Sequence, residues 1–178
     1  MTIILIGYRA SGKTTLGKRL AEHLGLPFVD TDDLILQHFG TDSVAEIWDT
    51  HGEAEFRRIE IEVVRQTVAG KDQVIGLGGG TLMQPGARQA VEQADALRVY
   101  LACDPQELAS RIGEDDKTSR TRPNLTNLGG GIEEILAVLE EREPVYQQVA
   151  DQTIDVTGLT AEKAFKRFIE TCIPTLEG

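Results

Sequence analysis

Apolar positions along the chain switch period again and again. Short runs of β-branched and apolar residues at 3–7, 27–30, 74–77, 98–102 and 153–156 read as strands. Between them, segments 13–24, 53–68, 85–92, 105–112 and 132–150 repeat apolar residues at steps of three and four, and 160–172 does so after the last strand. Such alternation predicts crossover units on a five-stranded parallel sheet with helices on both faces, a three-layer α/β/α sandwich. Ligands of such sheets collect at the carboxyl ends of the strands, so chemistry is expected just after residues 7, 30, 77 and 102. The stretch 113–131, GEDDKTSRTRPNLTNLGGG, has no apolar period and is expected to be either disordered or a functional loop such as a lid. No internal repeat interrupts the pattern, and residues 1–178 are expected to form one domain.

Charge narrows the partners. A formal net charge of −11 and a pI near 4.7 argue against nucleic acid or a membrane surface, both polyanionic. A small anionic substrate stays open, because a few arginines can reverse the local field. The apolar opening at 3–6 is too short for a signal-peptide core or a membrane span, so the expected location is cytoplasmic. Cys103 and Cys172 are then expected to be free thiols without a chemical role. His23, His38 and His51 share no metal-ligand spacing with them, and no zinc site is expected.

The strongest chemical signal follows the first strand. Gly7-Tyr8-Arg9-Ala10-Ser11-Gly12-Lys13-Thr14 matches G-x-x-x-x-G-K-[ST] in the required context, a strand before and a helix after. Its backbone N–H groups, from Ala10 through Thr15, are expected to cradle phosphates. Lys13 would reach the β- and γ-phosphates of ATP, the Thr14 hydroxyl would ligate Mg²⁺, and the helix dipole would add to the field.

Three further clusters each carry two readings. Asp30-Thr31-Asp32-Asp33 at a strand exit can place one carboxylate on the Mg²⁺ shell and another on an acceptor alcohol, or can cap a helix, with Asp33 the first candidate for capping alone. In Phe56-Arg57-Arg58-Ile59-Glu60, Arg57 borders an apolar stripe with Glu60 three residues on; it is either an anion clamp or a surface ion pair. Gly78-Gly79-Gly80 is either a close approach of backbone to ligand or a plain turn. Trp48 is open between core packing and a place over the substrate.

Taken in order, GYRASGKT, DTD at 30–32, FRRIE at 56–60, GGG at 78–80, RP at 122–123 and REPVY at 142–146 resemble the motifs of the shikimate kinase family, over residues 3–150. The resemblance implies a P-loop, nucleoside monophosphate kinase-like fold and transfer of the γ-phosphoryl of ATP to the 3-hydroxyl of shikimate. It further implies a monomer. It assigns Asp30 to Mg²⁺ through water, Asp32 to the acceptor hydroxyl as hydrogen-bond partner and candidate base, and Arg57 with Arg142 to the shikimate carboxylate. Gly79, between Gly78 and Gly80, would contact the ring through its backbone. Arg122 would neutralise charge on the transferring group from the lid, with Arg120 a second lid candidate, and Arg111 would lie against the adenine. The chain departs from the family in three places: alanine at position 10 where many members have glycine, a longer loop over 113–131, and no long polar side chain in Thr157-Gly158-Leu159. Kinases of gluconate or of a nucleoside monophosphate share the P-loop but do not explain FRRIE, GGG and REPVY together. A non-catalytic regulatory module would be expected to have lost Lys13, Asp32 or Arg122, and a guanine-binding N-K-x-D motif is not visible.

Overall fold

The computed structural model describes residues 1–114 and 131–176, with backbone alone for 175 and 176. Strands β1 (Thr2–Ile6), β2 (Phe28–Asp30), β3 (Gln73–Gly76), β4 (Leu97–Ala102) and β5 (Gln152–Asp155) form one sheet in the order β2-β3-β1-β4-β5. Every pairing is parallel, with Leu5 opposite Gly76 on one side and Val99 on the other. The expected helices are present as α1 (Lys13–Leu24), α4 (Glu53–Val68), α5 (Pro85–Gln93), α6 (Pro105–Glu114), α7 (Gly131–Val149) and α8 (Ala161–Leu176). The last of them continues beyond the expected end at residue 172.

Side-chain alternation along β1 divides the core in two. Ile4 and Ile6 face a cluster built with Val91, Leu108, Ile135 and Leu139 from α5, α6 and α7. Ile3 and Leu5 face the opposite cluster, with Leu16 and Leu20 of α1 and Phe168 and Cys172 of α8. Both cysteines are free, and burial pushes each thiol up to about 11, so neither is a ready nucleophile at neutral pH.

Two helices escape the period analysis. α2 (Thr31–Phe39) and α3 (Val44–His51) are short, and the first buries only Thr31 and Ile35, the second only Ile47. One buried turn leaves too little repetition to read as a period. Together with Phe56 and Ile59 of α4, Ile35 and Ile47 form a third, smaller core beside the sheet's carboxyl edge. α3 starts at Ser43, whose side chain accepts from the Glu46 amide, as an N-cap does. The capping expectation for Asp33 is corrected: the cap of α2 is Asp30, whose Oδ1 accepts from the Asp32 amide at 3.0 Å, while Asp33 is exposed. Among the described residues, no helix is long and apolar enough to cross a membrane.

Candidate active site

Between β1 and α1 the chain wraps into the phosphate loop. Gly12, at φ 95°, supplies the left-handed turn that launches α1, and the Lys13 ammonium folds back to donate to the Gly7 and Tyr8 carbonyls, each at 2.8 Å. Those bonds, together with the Ser11 amide donating to the Tyr8 carbonyl at 3.2 Å, hold the backbone in a curl of the kind that can cradle an anion. Ala10 also sits left-handed, at φ 64°, where its Cβ costs roughly 1 kcal/mol relative to glycine. Ala10→Gly is therefore expected to raise unfolding stability by about 0.5–1 kcal/mol, read from urea midpoints at unchanged slope. An unchanged or lower midpoint would mean the loop carries no strain at this position.

On one side of the loop lies a hollow of about 620 Å³ including its open mouth, lined by Ser11, Gly12 and Thr15 and by Arg111, Val156 and Leu159. Arg111 is fixed there by its bonds to the Ala10 carbonyl at 3.2 Å and to Glu107. Glu107 in turn accepts from the Gly158 amide at 2.6 Å. The hollow thus has an arginine, Leu159 and apolar walls beside the phosphate loop. Leu159 offers it only apolar surface.

Between the first and second strand ends, Thr14 Oγ1 donates to Asp30 Oδ2 at 3.0 Å. Burial, then the neighbouring charge of Asp32, raises the Asp30 carboxyl above the ordinary carboxylate range, and the Thr14 hydroxyl opposes the shift. An anion under this pressure favours a cation beside it. One hydroxyl and one carboxylate are hard oxygen donors, and they fit Mg²⁺, which takes one or two protein oxygens and fills the rest with phosphate and water. Lys13, Thr14, Asp30 and Asp32 are thus brought together, as the sequence predicts.

On the other side of the loop opens a second cleft, of about 550 Å³ including its mouth. Gly78-Gly79-Gly80 form one wall. The turn is pinned by Thr31, whose Oγ1 donates to the Gly76 carbonyl at 3.3 Å and accepts from the Gly78 amide at 3.1 Å. The same anchoring brings Asp32 against Gly78: a Cβ there would lie 2.4 Å from Asp32 Oδ1. At Gly80 a Cβ would stand 3.3 Å from an Arg57 nitrogen and 3.5 Å from two of Arg142. At Gly78 and Gly80 the missing Cβ lets the Asp32, Arg57 and Arg142 side chains come against the backbone.

Arg57 is no surface ion pair. Its side chain is 19 % exposed and its NH1 donates at 2.8 Å to Glu60, which is 2 % exposed. The other Glu60 oxygen accepts from Thr81 Oγ1 at 2.8 Å, so the carboxylate is held from both ends. Trp48 packs against the third core, meeting Phe56 edge-on at 6.1 Å, and also lines the cleft, with the Arg57 guanidinium 5.8 Å above its ring.

Sequence reading missed Tyr8, Arg9, Glu134 and the part played by Tyr146. Tyr146 donates its hydroxyl to the Gly79 carbonyl, and burial pushes that phenol up to about 12, against the charge of Arg142 beside it. It was inside REPVY and could have been named. Tyr8 and Arg9 occupy x positions of the loop motif, and Glu134 is one of two adjacent carboxylates in the first turn of an ordinary helix; no local pattern marks them. Arg122 and Arg120, the two lid arginines, lie outside the described residues.

Unsatisfied groups mark the same place. Among the described residues, four buried side-chain polar atoms lack a hydrogen-bond partner: Tyr8 Oη, Arg9 Nε, Ser11 Oγ and Trp48 Nε1. Three belong to residues lining the second cleft and the fourth to the phosphate loop. Such atoms are rare in native proteins and gather where a ligand or bound water completes the structure.

Comparison with known proteins agrees with this geometry. A family model described as shikimate kinase matches residues 9–173. The shikimate kinase of Mycobacterium avium is 40 % identical over 174 residues, 98 % of this chain and 94 % of its own length. That of Mycobacterium tuberculosis is 41 % identical over 152 residues, 85 % of this chain and 82 % of its own. Among solved structures, shikimate kinase from Acinetobacter baumannii in complex with shikimate superposes with a TM-score of 0.87 at 30 % identity, covering 99 % of this chain and 94 % of that one. The Aquifex aeolicus enzyme superposes at 0.77 with 31 % identity, covering 100 % and 97 %. Matched by the family model over residues 9–173 and by relatives at this identity over nearly its whole length, the chain belongs to the shikimate kinase family.

Proposed function

We propose that this chain moves the γ-phosphoryl of ATP onto the 3-hydroxyl of shikimate across the strand ends of β1, β2 and β3. One observation carries the reading: Asp32, Arg57 and Arg142 converge on the Gly78–Gly80 wall of a cleft that opens beside the phosphate loop. In it, the loop amides from Ala10 to Thr15 and the Lys13 ammonium hold the nucleotide phosphates. Lys13 exchanges its carbonyl bonds for phosphate oxygens as the nucleotide enters. Arg57 and Arg142 hold the acceptor carboxylate at Gly80, which turns the opposite edge of the ring toward Gly78 and Asp32. Asp32 accepts the hydrogen bond of the reacting hydroxyl and takes its proton as the new O–P bond forms.

Thr14 and Asp30 would hold Mg²⁺, which when bound supplies charge neutralisation between the β- and γ-phosphates. Asp30 is a folding liability without it. Because its carboxyl is raised in the folded state, stability is fully present below the ordinary carboxylate range and is lost as pH rises through the folded value. At neutral pH the nucleotide-free Asp30→Asn variant is therefore expected to melt higher than the wild type while needing more Mg²⁺ for half-maximal turnover. Asparagine caps α2 equally well, so the cap does not confuse the comparison. A lower melting temperature in the variant would show that the Thr14 bond outweighs burial.

The activity itself is tested by ADP release with Mg-ATP and shikimate, gluconate or AMP in separate reactions. Turnover with shikimate alone supports the reading. Turnover with gluconate or AMP keeps the kinase and overturns the acceptor, and ATP binding without turnover on any acceptor overturns the enzyme.

A further inference from the structure

The cleft contains a third arginine with no assigned role. Arg9 lines it from the phosphate-loop side, and its backbone amide lies 3.3 Å from where a Gly79 Cβ would stand. From there the side chain runs to α7, where NH2 donates at 3.2 Å to Glu134. Glu134 is 0 % exposed and the Arg9 side chain 11 %. The pair repeats the design of Arg57 with Glu60: a cleft-lining arginine steadied by a carboxylate buried behind it. Burying a carboxylate completely is costly unless a cation meets it, so this pair is a poor way to gain stability and a good way to fix a guanidinium in place.

What Arg9 is fixed for follows from its unused donors. A guanidinium has five N–H donors. Among the described residues, Arg9 bonds Glu134 through NH2, and its Nε is buried without a partner. The Tyr8 phenol beside it, 1 % exposed, also lacks a partner, and burial raises it against the charges of Arg9 and Arg142. Among the described residues, two buried donor groups at one end of the cleft are thus left unmatched.

Along the glycine wall the groups stand in sequence. The Asp32 side chain faces Gly78 and the Arg57 and Arg142 guanidinium groups face Gly80, while at Gly79 it is the Arg9 backbone amide that comes close, its side chain leaving along the loop side of the cleft toward Glu134. If the acceptor carboxylate sits at Gly80 and the reacting hydroxyl at Gly78, the Arg9 side chain, lining the same cleft from the loop side, is left to meet the rest of the ring. We propose that Arg9, positioned by Glu134, is a third acceptor-side arginine that donates to a non-reacting ring hydroxyl of the acceptor. The proposal rests on the reading of this cleft as the acceptor site.

The test uses Arg9→Met, Arg9→Lys and the double variant Arg9→Met with Glu134→Gln, which removes the buried carboxylate's charge if the first folds poorly. Shikimate binding is measured by calorimetry without nucleotide, and KM for Mg-ATP by steady-state kinetics, with Arg57→Ala as reference. Arg9→Met and the double variant are expected to weaken shikimate about tenfold or more, with KM for Mg-ATP within about twofold and partial recovery in Arg9→Lys. The loss in Arg9→Met should vanish for an acceptor analogue lacking one of the two non-reacting hydroxyls. A loss that persists with both such analogues, or that vanishes with the carboxylate methyl ester, overturns the hydroxyl assignment. Unchanged shikimate affinity in both Met variants, with Arg57→Ala still weakened, overturns the role of Arg9 alone. Unchanged affinity in Arg57→Ala as well overturns the cleft as the acceptor site.

Discussion

Replacing Asp32 with asparagine is expected to lower kcat by about 100- to 10,000-fold while leaving both KM values within a few-fold. The geometry makes this an unusually clean substitution. The bond that caps α2 runs from the Asp32 backbone amide to Asp30, so it survives a side-chain change. Asparagine has the same outline, and the carboxylate lies against Gly78, where there is no Cβ to collide with an amide. What the variant loses is the ability to accept a proton. Phosphoryl transfer passes through a loose transition state in which the attacking oxygen develops little bonding, so the base acts late and its share of the barrier is bounded. Orientation of the hydroxyl is the other share, and asparagine keeps much of it through its carbonyl oxygen. Asp32→Ala is therefore expected to fall further than Asp32→Asn, and the gap between them measures orientation against proton acceptance. A kcat for Asp32→Asn within about tenfold of the wild type would remove Asp32 as base and leave it a positioning group.

Why some of the site could be read from the chain and some could not comes down to where its groups lie in sequence. Lys13, Thr14, Asp30 and the triple glycine are each fixed by backbone immediately around them, at the exit of a strand, and strand exits are legible from apolar runs. Their chemistry is local, so their motifs are local. Arg57 and Glu60 share one helical turn, and their pairing was visible for the same reason. Arg9 and Glu134 are 125 positions apart and meet only because α7 returns across the sheet to the phosphate loop. Nothing near either residue announces the other. α2 and α3 were missed for a related reason: their faces are completed by α4, so neither helix carries enough buried positions alone to impose a period. The placement of the cap on Asp30 instead of Asp33 follows from how short β2 is, since its last residue is already the first of the helix entry.

Arg57→Ala is expected to raise the acceptor's KM or Kd about 30-fold or more and to cost about 2–3 kcal/mol of stability at the same time. The two losses have different origins. Affinity falls because a charge-assisted bond to the substrate carboxylate is gone. Stability falls because Glu60, 2 % exposed, loses the cation bonded to it and keeps, among the described residues, its bond from Thr81. The outer partner of Arg57, Glu53, is 58 % exposed at 3.4 Å and contributes little to either. Arg57→Ala combined with Glu60→Gln separates them. The neutral amide can still accept from Thr81, so denaturant midpoints should return most of the way to wild type while acceptor affinity stays lost. If the double variant recovers affinity along with stability, Arg57 acts by keeping α4 in place, and the carboxylate clamp falls to Arg142 alone. If it recovers stability only, Arg57 touches the acceptor itself, and the buried Glu60 is there to aim it.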